Sequence, residues 1–152
     1  MEKPNEQFER NAELVRVIDG DTLVLRIDLG WGVETIQHIR LSGLNAPESQ
    51  GRRPHEHPAG EYVTKKVKDF LLQEPGRKCI IHSIEFEIGS FGRCLCNVWV
   101  GDKCLNEWLL DEGLAWGADS KGKLFGARDV SLLHGIPEEV QEAVAAEWTA
   151  QQ

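Results

Sequence analysis

The sequence predicts an α+β fold that is mainly β, in which five strands close into a barrel and three helices pack against it. Alternating apolar residues over 14–18, 22–28 and 35–41 indicate three consecutive strands, and 78–86 and 91–100 indicate two more. A helical pattern stands between the third strand and the fourth. This order of elements is typical of an OB-type Greek-key barrel.

The first three strands are predicted to form a meander because turn residues separate them. The first strand ends at Asp19-Gly20, a turn dipeptide, and the next strand places the apolar residues of 22–28 on one face. A glycine-rich cluster at 30–32 turns the chain again, and the third strand carries Arg40 near its end. Strands joined by such short turns pair antiparallel.

Three helices are predicted after the meander. Pro58 suits the first turn of the first helix, which has an apolar stripe at helical spacing: Val63, Val67, Phe70 and Leu71. The second helix, over 105–112, ends at Gly113. The third begins at Pro137 and has one apolar face: Val140, Val144 and Trp148.

The length of 152 residues fits a single domain. Residues 1–12 are polar and predict a flexible segment, and 13–152 predict the domain, with a loop and helix over 117–152 whose role beyond packing stays open. No apolar run approaches the ~20 residues of a membrane span, and no hydrophobic signal core opens the chain. We expect a cytoplasmic monomer with no membrane partner; a secreted form with a longer leader is the alternative.

The charge and the cysteines narrow the class of protein. A net charge of −8 argues against a protein that holds nucleic acid mainly through a basic surface. It does not argue against an enzyme that meets one phosphate through a cation and a few arginines. The cysteines show neither CxxC spacing nor zinc-finger spacing, so we expect reduced, buried thiols, with a metal cluster or disulfide as the alternative: Cys79, Cys94, Cys96 and Cys104.

Two short segments bring together residues that suit a hard cation. Asp19 and Asp21 flank a glycine at a strand junction, and the segment 40–48 places an arginine, an amide and a carboxylate around one turn. Ca²⁺ takes oxygen ligands from carboxylates, amides and backbone carbonyls. Asp21, Asn45 and the carbonyl of Ala46 are therefore candidate metal ligands.

Four segments in order resemble the staphylococcal nuclease family, also called thermonuclease-like. They read V-I-D-G-D-T at 17–22, R-L-S-G-L-N-A-P-E at 40–48, F-G-R at 91–93 and N-E-W-L-L-D-E-G-L-A at 106–115. The resemblance covers roughly residues 14–116. It implies an endonuclease that hydrolyses phosphodiester bonds of DNA or RNA and leaves 3′-phosphate ends.

The resemblance also implies a metal site and its ligands. Asp21, Asn45 and the Ala46 carbonyl would hold Ca²⁺, with Mg²⁺ or Mn²⁺ as alternatives, and Asp19 would lie in or near the outer ligand shell. One departure is that the family commonly has Asp where this chain has Asn45. An amide oxygen still coordinates Ca²⁺, but fewer ligand charges weaken its affinity.

Three further residues take catalytic roles by the same resemblance. Glu48 would be the general base or orient the attacking water, and Arg40 and Arg93 would bind the scissile phosphate. Arginine suits this role because its planar fork binds two phosphate oxygens and stays charged. The family's tyrosines at the terminal nucleotide have no clear match, since Phe91 replaces one and 116–123 contain none.

Two other functions stay open. One is a nuclease-like module that has lost catalysis and only binds nucleic acid or protein. The other is an interaction domain with no nucleic-acid role, which the negative charge favours.

Several other residues have a structural interpretation beside a functional one. Arg52 and Arg53 are alternative contacts for substrate phosphates, and His55 and His57 are more typical of a solvated loop than of a metal site. Trp31 is expected to pack on its own sheet or a partner rather than stack on a base.

Overall fold

The structure is a computed structural model that describes residues 8–86 and 94–152. Its described strands, in chain order, are β1 (Phe8–Asp19), β2 (Thr22–Gly30), β3 (Val33–Leu41), β4 (Leu44–Asn45), β5 (Lys78–Phe86), β6 (Cys94–Val100), β7 (Lys103–Cys104) and β8 (Trp116–Gly117). The helices are α1 (His57–Leu71), α2 (Leu105–Asp111) and α3 (Glu138–Ala150).

The long strands close into the predicted barrel. They pair antiparallel in the order β3-β2-β1-β5-β6, and β3 returns to pair with β6 in parallel. The closing contact sets Ile39 opposite Cys94 and Arg40 opposite Leu95. The expected five-stranded OB-type barrel with three helices is therefore confirmed.

The core lies inside the barrel and beneath α1. Alternate residues of β6 are buried, as expected for a strand with one face inward. The predicted stripe of α1 is also buried and joins the same core: Val63, Val67, Phe70 and Leu71. Burial of each such side chain contributes about 1.5–3 kcal/mol, so the helix is anchored by its position on the barrel more than by its own propensity.

The ends of two predicted strands differ from the structure. β1 begins at Phe8 and pairs with β5 from Phe8 opposite Ser83, so the prediction of a flexible segment was wrong for residues 8–12. This stretch is polar because most of it is solvent-exposed in the sheet, and its pairing with β5 does not show in hydropathy. Of the strand predicted over 91–100, the structure describes Cys94–Val100, and 91–93 lie outside the described residues.

The β2–β3 hairpin is longer than predicted and carries an exposed tryptophan at its tip. Trp31 has a φ of 60° between two glycines of positive φ, and its side chain is fully exposed. Of the two expected places for Trp31, its own sheet is therefore wrong, and packing on a partner stays a prediction. The reason is that this tight turn projects the side chain away from both strands.

The expectation of buried, reduced thiols is confirmed. All four cysteines are free and buried, and burial raises the pKa of Cys79 to about 12. The thiols of Cys94 and Cys96 lie 3.2 Å apart on one face of β6.

Among residues 8–86 and 94–152, none of the helices has the length and apolar character that a membrane span requires.

The C-terminal region covers one side of the barrel. β8 pairs with β4, and α3 packs on α1 and on the turn Pro54–Glu56. Of the predicted apolar face of α3, Val144 is buried, and Trp148 is half exposed with its ring edge against His55. This region therefore reaches the loop that precedes α1.

Two glycines let α1 approach the loops at the barrel end. A Cβ on Gly20 would lie 2.6 Å from Val63 Cγ1, and a Cβ on Gly60 would lie 2.2 Å from the carbonyl oxygen of Glu48. Neither glycine has a positive φ. Gly20 is therefore required for close packing and not for turn geometry, and α1 supports both loops that carry the predicted site residues.

Candidate active site

Asp21 lies at the turn between β1 and β2 and is held from the loop that follows β3. Its carboxylate accepts hydrogen bonds from the Ala46 N–H at 2.9 Å and from the Thr22 hydroxyl at 3.0 Å. Its backbone carbonyl accepts the N–H of Leu41. Only 5% of Asp21 is exposed. A carboxylate buried to this degree needs compensating partners, so these bonds fix its position.

Arg40 connects Asp21 to Asn45. Its Nη2 lies 3.1 Å from Asp21 Oδ2 and also donates to Asn45 Oδ1. The amide of Asn45 is oriented from the other side, because its Nδ2 donates to the Gly122 carbonyl at 2.8 Å. The oxygen of Asn45 therefore faces Asp21 and Arg40, as expected for a side chain that shares a site with them.

Asp19 has a different partner. Its Oδ1 accepts the hydroxyl and, at 3.2 Å, the N–H of Ser49. These bonds tie the end of β1 to the loop after Glu48. Its predicted place in the outer shell of a metal site stays a prediction.

Glu48 is held by an arginine of its own loop. Arg53 Nη1 donates to Glu48 Oε1 at 2.8 Å, and the Arg53 N–H donates to Oε2 at 3.1 Å. A carboxylate has about four lone-pair sites, so each oxygen keeps one free of contacts from residues 8–86 and 94–152. The side chain is 26% exposed and borders the same cavity as Asp21. Arg53, an alternative phosphate contact by sequence, here orients Glu48.

One cavity of about 340 Å³ gathers the predicted residues. Its walls contain every predicted site residue in the described ranges, and four that were not predicted: Asp19, Asp21, Arg40, Asn45, Ala46 and Glu48, with Pro47, Gln50, Gly122 and Arg128. Arg93 lies outside the described residues. A neighbouring cavity of about 580 Å³ shares Arg40, Asn45 and Gly122, so the surface continues beyond the first cavity.

The donor set of this cavity suits a hard divalent cation. Among the described residues, no three His, Cys, Asp or Glu side chains cluster closely enough to hold a metal by themselves. The carboxylate of Asp21 and the amide oxygen of Asn45 nevertheless meet at one guanidinium nitrogen. Both are oxygen donors, and hard cations complete such sites with backbone carbonyls and water. The residues therefore fit a cation of the Ca²⁺ or Mg²⁺ type.

Sequence reasoning missed a buried ion pair beside the cavity. Arg128 Nε and Nη2 donate to the two oxygens of Glu56, both at 2.9 Å, and Glu56 is 1% exposed. Glu56 lies in a stretch of charged and imidazole residues that is typical of an exposed loop. Its partner is 72 positions away, so no local pattern indicates the pair.

Asn106, in the first turn of α2, has a structural role. Its side chain accepts the N–H of Val98 and donates to the carbonyls of Ser42 and Cys96. It thereby connects α2 to the closing pair of strands and lies outside the walls of the cavity. Its described partners are mainly backbone groups, as is typical of an asparagine at a helix entry.

Known proteins match this chain over most of its length. A family model described as staphylococcal nuclease homologue matches residues 38–134. The chain is 32% identical to a thermonuclease of Staphylococcus hyicus over 107 residues, which are 70% of this chain and 59% of that protein. It is 32% identical to a thermonuclease of Staphylococcus intermedius over 103 residues, with 66% and 55% covered.

A relative from another genus gives the same result. The chain is 31% identical to the endonuclease YncB of Bacillus subtilis over 109 residues, which are 69% of this chain and 46% of that protein. The match thus spans about half the length of these three relatives. The family match covers the segment 40–48 with Arg40, Asn45 and Glu48, and the chain belongs to the family of staphylococcal nuclease homologues.

Proposed function

We propose that this chain is a metal-dependent nuclease that hydrolyses phosphodiester bonds of DNA or RNA. The observation that carries the proposal is the meeting of Asp21, Arg40, Asn45 and Glu48 around one cavity. The names of the relatives, thermonuclease and endonuclease, support the reaction class. Because the match spans only part of each relative, the activity and its substrates are proposed for this chain.

Arg40 and Glu48 have different proposed roles in this reaction. Hydrolysis of a phosphodiester adds negative charge at phosphorus in the transition state, and a preorganised guanidinium stabilises that charge. Arg40 is preorganised by its contacts to Asp21 and Asn45. Glu48 keeps free lone pairs and borders the cavity, so it can accept a proton from an attacking water. Arg93 is proposed as the second phosphate-binding arginine on the family resemblance.

Asp21, Asn45 and the Ala46 carbonyl are proposed to hold the cation, with Asp19 in the outer shell. Ca²⁺ is the expected ion, and Mg²⁺ and Mn²⁺ are the alternatives. A divalent cation there supplies positive charge beside the phosphate and makes nearby water more acidic. In the described part of the chain, Asp21 Oδ1 and Asn45 Oδ1 each accept one hydrogen bond, so each has a lone pair for a cation while Arg40 keeps its contacts.

The expected product follows from the family resemblance. Departure of the 5′ oxygen would leave 3′-phosphate ends.

The net charge of −8 predicts weak non-specific affinity for nucleic acid. It also predicts that the rate of association with nucleic acid falls at low cation concentration.

The test is a cleavage assay with matched arginine variants. The purified protein is incubated with single-stranded DNA, duplex DNA and RNA, each with Ca²⁺, Mg²⁺, Mn²⁺ or EDTA. Arg40→Ala is compared with Arg26→Ala, which removes a half-exposed arginine of β2 whose described ion pairs are with the exposed Glu13 and Glu34. Cleavage that needs a cation, persists in Arg26→Ala and disappears in Arg40→Ala supports the proposal.

Two other results would count against the proposed nuclease activity. Cleavage that persists in Arg40→Ala would assign the activity to a contaminant or to other residues. No cleavage with any cation, together with retained oligonucleotide binding, would favour the alternative of a catalytically inactive binding module.

A further inference from the structure

The Glu56–Arg128 ion pair borders the proposed site but has no part in the chemistry described so far. Glu56 is almost fully buried, and Arg128 is 22% exposed and lines the cavity of Asp21 and Glu48. A buried carboxylate is costly unless a partner compensates its charge. The side-on arrangement, with two bonds of 2.9 Å, provides that partner.

Glu56 also binds the backbone of Glu48. Its Oε1 accepts the Glu48 N–H at 3.0 Å in addition to Arg128 Nη2. The carbonyl oxygen of Glu48 packs closely on α1, since a Cβ on Gly60 would lie 2.2 Å from it. The main chain at Glu48 is therefore held by a carboxylate whose two oxygens are both bound by Arg128.

Arg128 in turn packs on β8, the strand that pairs with the strand carrying Asn45. Its guanidinium carbon lies 4.8 Å from the centre of the Trp116 ring, at a cation–π distance. The Trp116 Nε1–H donates to the carbonyl of Asp129 at 3.1 Å. The backbone of Trp116 pairs with Asn45 between β4 and β8. Continuous contacts thus lead from Asn45 through Trp116 and Arg128 to Glu56 and Glu48.

We propose that Arg128 is a positioning residue that, through Glu56, sets the place of Glu48 relative to Asn45 and Asp21. The inference rests on the proposed nuclease function and gives the segment after β8 a role beyond packing. Direct phosphate binding by Arg128 is the competing role. Its Nε and Nη2 are both taken by Glu56, which also neutralises its charge, so the contacts favour positioning.

The kinetic test uses Arg128→Met, Glu56→Gln and the double variant, with Arg26→Met as the matched control. We expect each single variant to lower kcat by about tenfold or more, while KM stays within about threefold, because the lost interaction orients a reacting group and does not bind substrate. The double variant should be no slower than the slower single variant, since both act through one contact. Arg26→Met should match the unaltered protein.

A second readout does not depend on activity. Amide hydrogen exchange followed by NMR should be about tenfold faster or more at Glu48 in folded Arg128→Met, while exchange at Leu25 in the core stays unchanged. If the unaltered protein cleaves nothing, the proposed function fails, and this exchange still decides whether Arg128 holds the Glu48 backbone. If Arg128→Met does not fold, Glu56→Gln and Arg128→Lys provide the same comparison.

Three results would overturn the proposal. A raised KM with unchanged kcat in Arg128→Met, and no effect in Glu56→Gln, would make Arg128 a phosphate ligand. Additive losses in the double variant would separate the two residues. Unchanged exchange at Glu48 in the folded variants would show that the pair does not hold this backbone.

Discussion

Asn45→Asp restores the carboxylate that the family commonly has at this position, and we expect it to tighten Ca²⁺ binding. Asp21 and Arg40 together carry no net charge, so the variant gives this cluster a charge of −1. A divalent ion about 2.4 Å from one added charge gains about 14 kcal/mol of Coulomb energy at an effective dielectric constant of about 20. Desolvation offsets most of it, and a net gain of about 1.4 kcal/mol already lowers Kd tenfold.

The same substitution should weaken the protein without cation. Asn45 loses its bond from Nδ2 to the Gly122 carbonyl and places a carboxylate oxygen against that carbonyl. The lost bond costs about 1 kcal/mol, which lowers Tm by about 2–4 °C in a domain of this size. A lower Tm without Ca²⁺ and a larger rise in Tm with Ca²⁺ are therefore expected together.

Isothermal titration calorimetry and thermal unfolding with and without Ca²⁺ measure both effects. Asn11→Asp is the matched control, because it adds the same charge at an exposed position of β1. Equal or weaker Ca²⁺ affinity in Asn45→Asp, or an equal gain in Asn11→Asp, would mean that Asn45 is not a Ca²⁺ ligand.

Three further predictions concern other parts of the molecule. Glu48→Ala and Arg93→Ala should each lower kcat about 100-fold or more at near-normal Tm; a folded variant with normal turnover would remove that residue from the mechanism. Gly60→Ala should destabilise the protein by about 1–3 kcal/mol, because its Cβ would lie 2.2 Å from the Glu48 carbonyl; unchanged Tm by calorimetry would contradict this packing. Burial raises the pKa of Cys79 to about 12, so iodoacetamide at pH 9 should spare Cys79 in the native protein and modify it in denaturant, as peptide mass spectrometry would show.

Much of the fold was predictable because its signals are local. Apolar alternation located β2 and β3 to within two residues at each end, and the helical spacing of Val63, Val67 and Phe70 located α1. The prediction failed at residues 8–12, where the sheet partner β5 lies far away in sequence. Polar residues on an exposed strand give no local signal of that pairing.

The candidate site was also predictable only in part. Asp21, Arg40, Asn45 and Glu48 were predictable because each stands at a strand end or turn whose residue types suit metal or phosphate, in an order shared with a known family. Their contacts were not predictable. That Arg40 bridges Asp21 and Asn45, and that Arg53 holds Glu48, depends on how β1 and the loop after β3 meet.

Local patterns predict the order of the elements, the core stripe of α1 and the residue types that suit phosphodiester chemistry, because periodicity and turn chemistry act over a few residues. The contacts between distant segments are visible only in the folded chain: Glu56 is buried, Arg128 pairs with it from 72 positions away, and Gly122 orients Asn45 from 77 positions away. Buried polar groups form hydrogen bonds with the polar groups that lie next to them after the barrel has closed. These partners depend on how the barrel closes, so no local stretch of sequence predicts them.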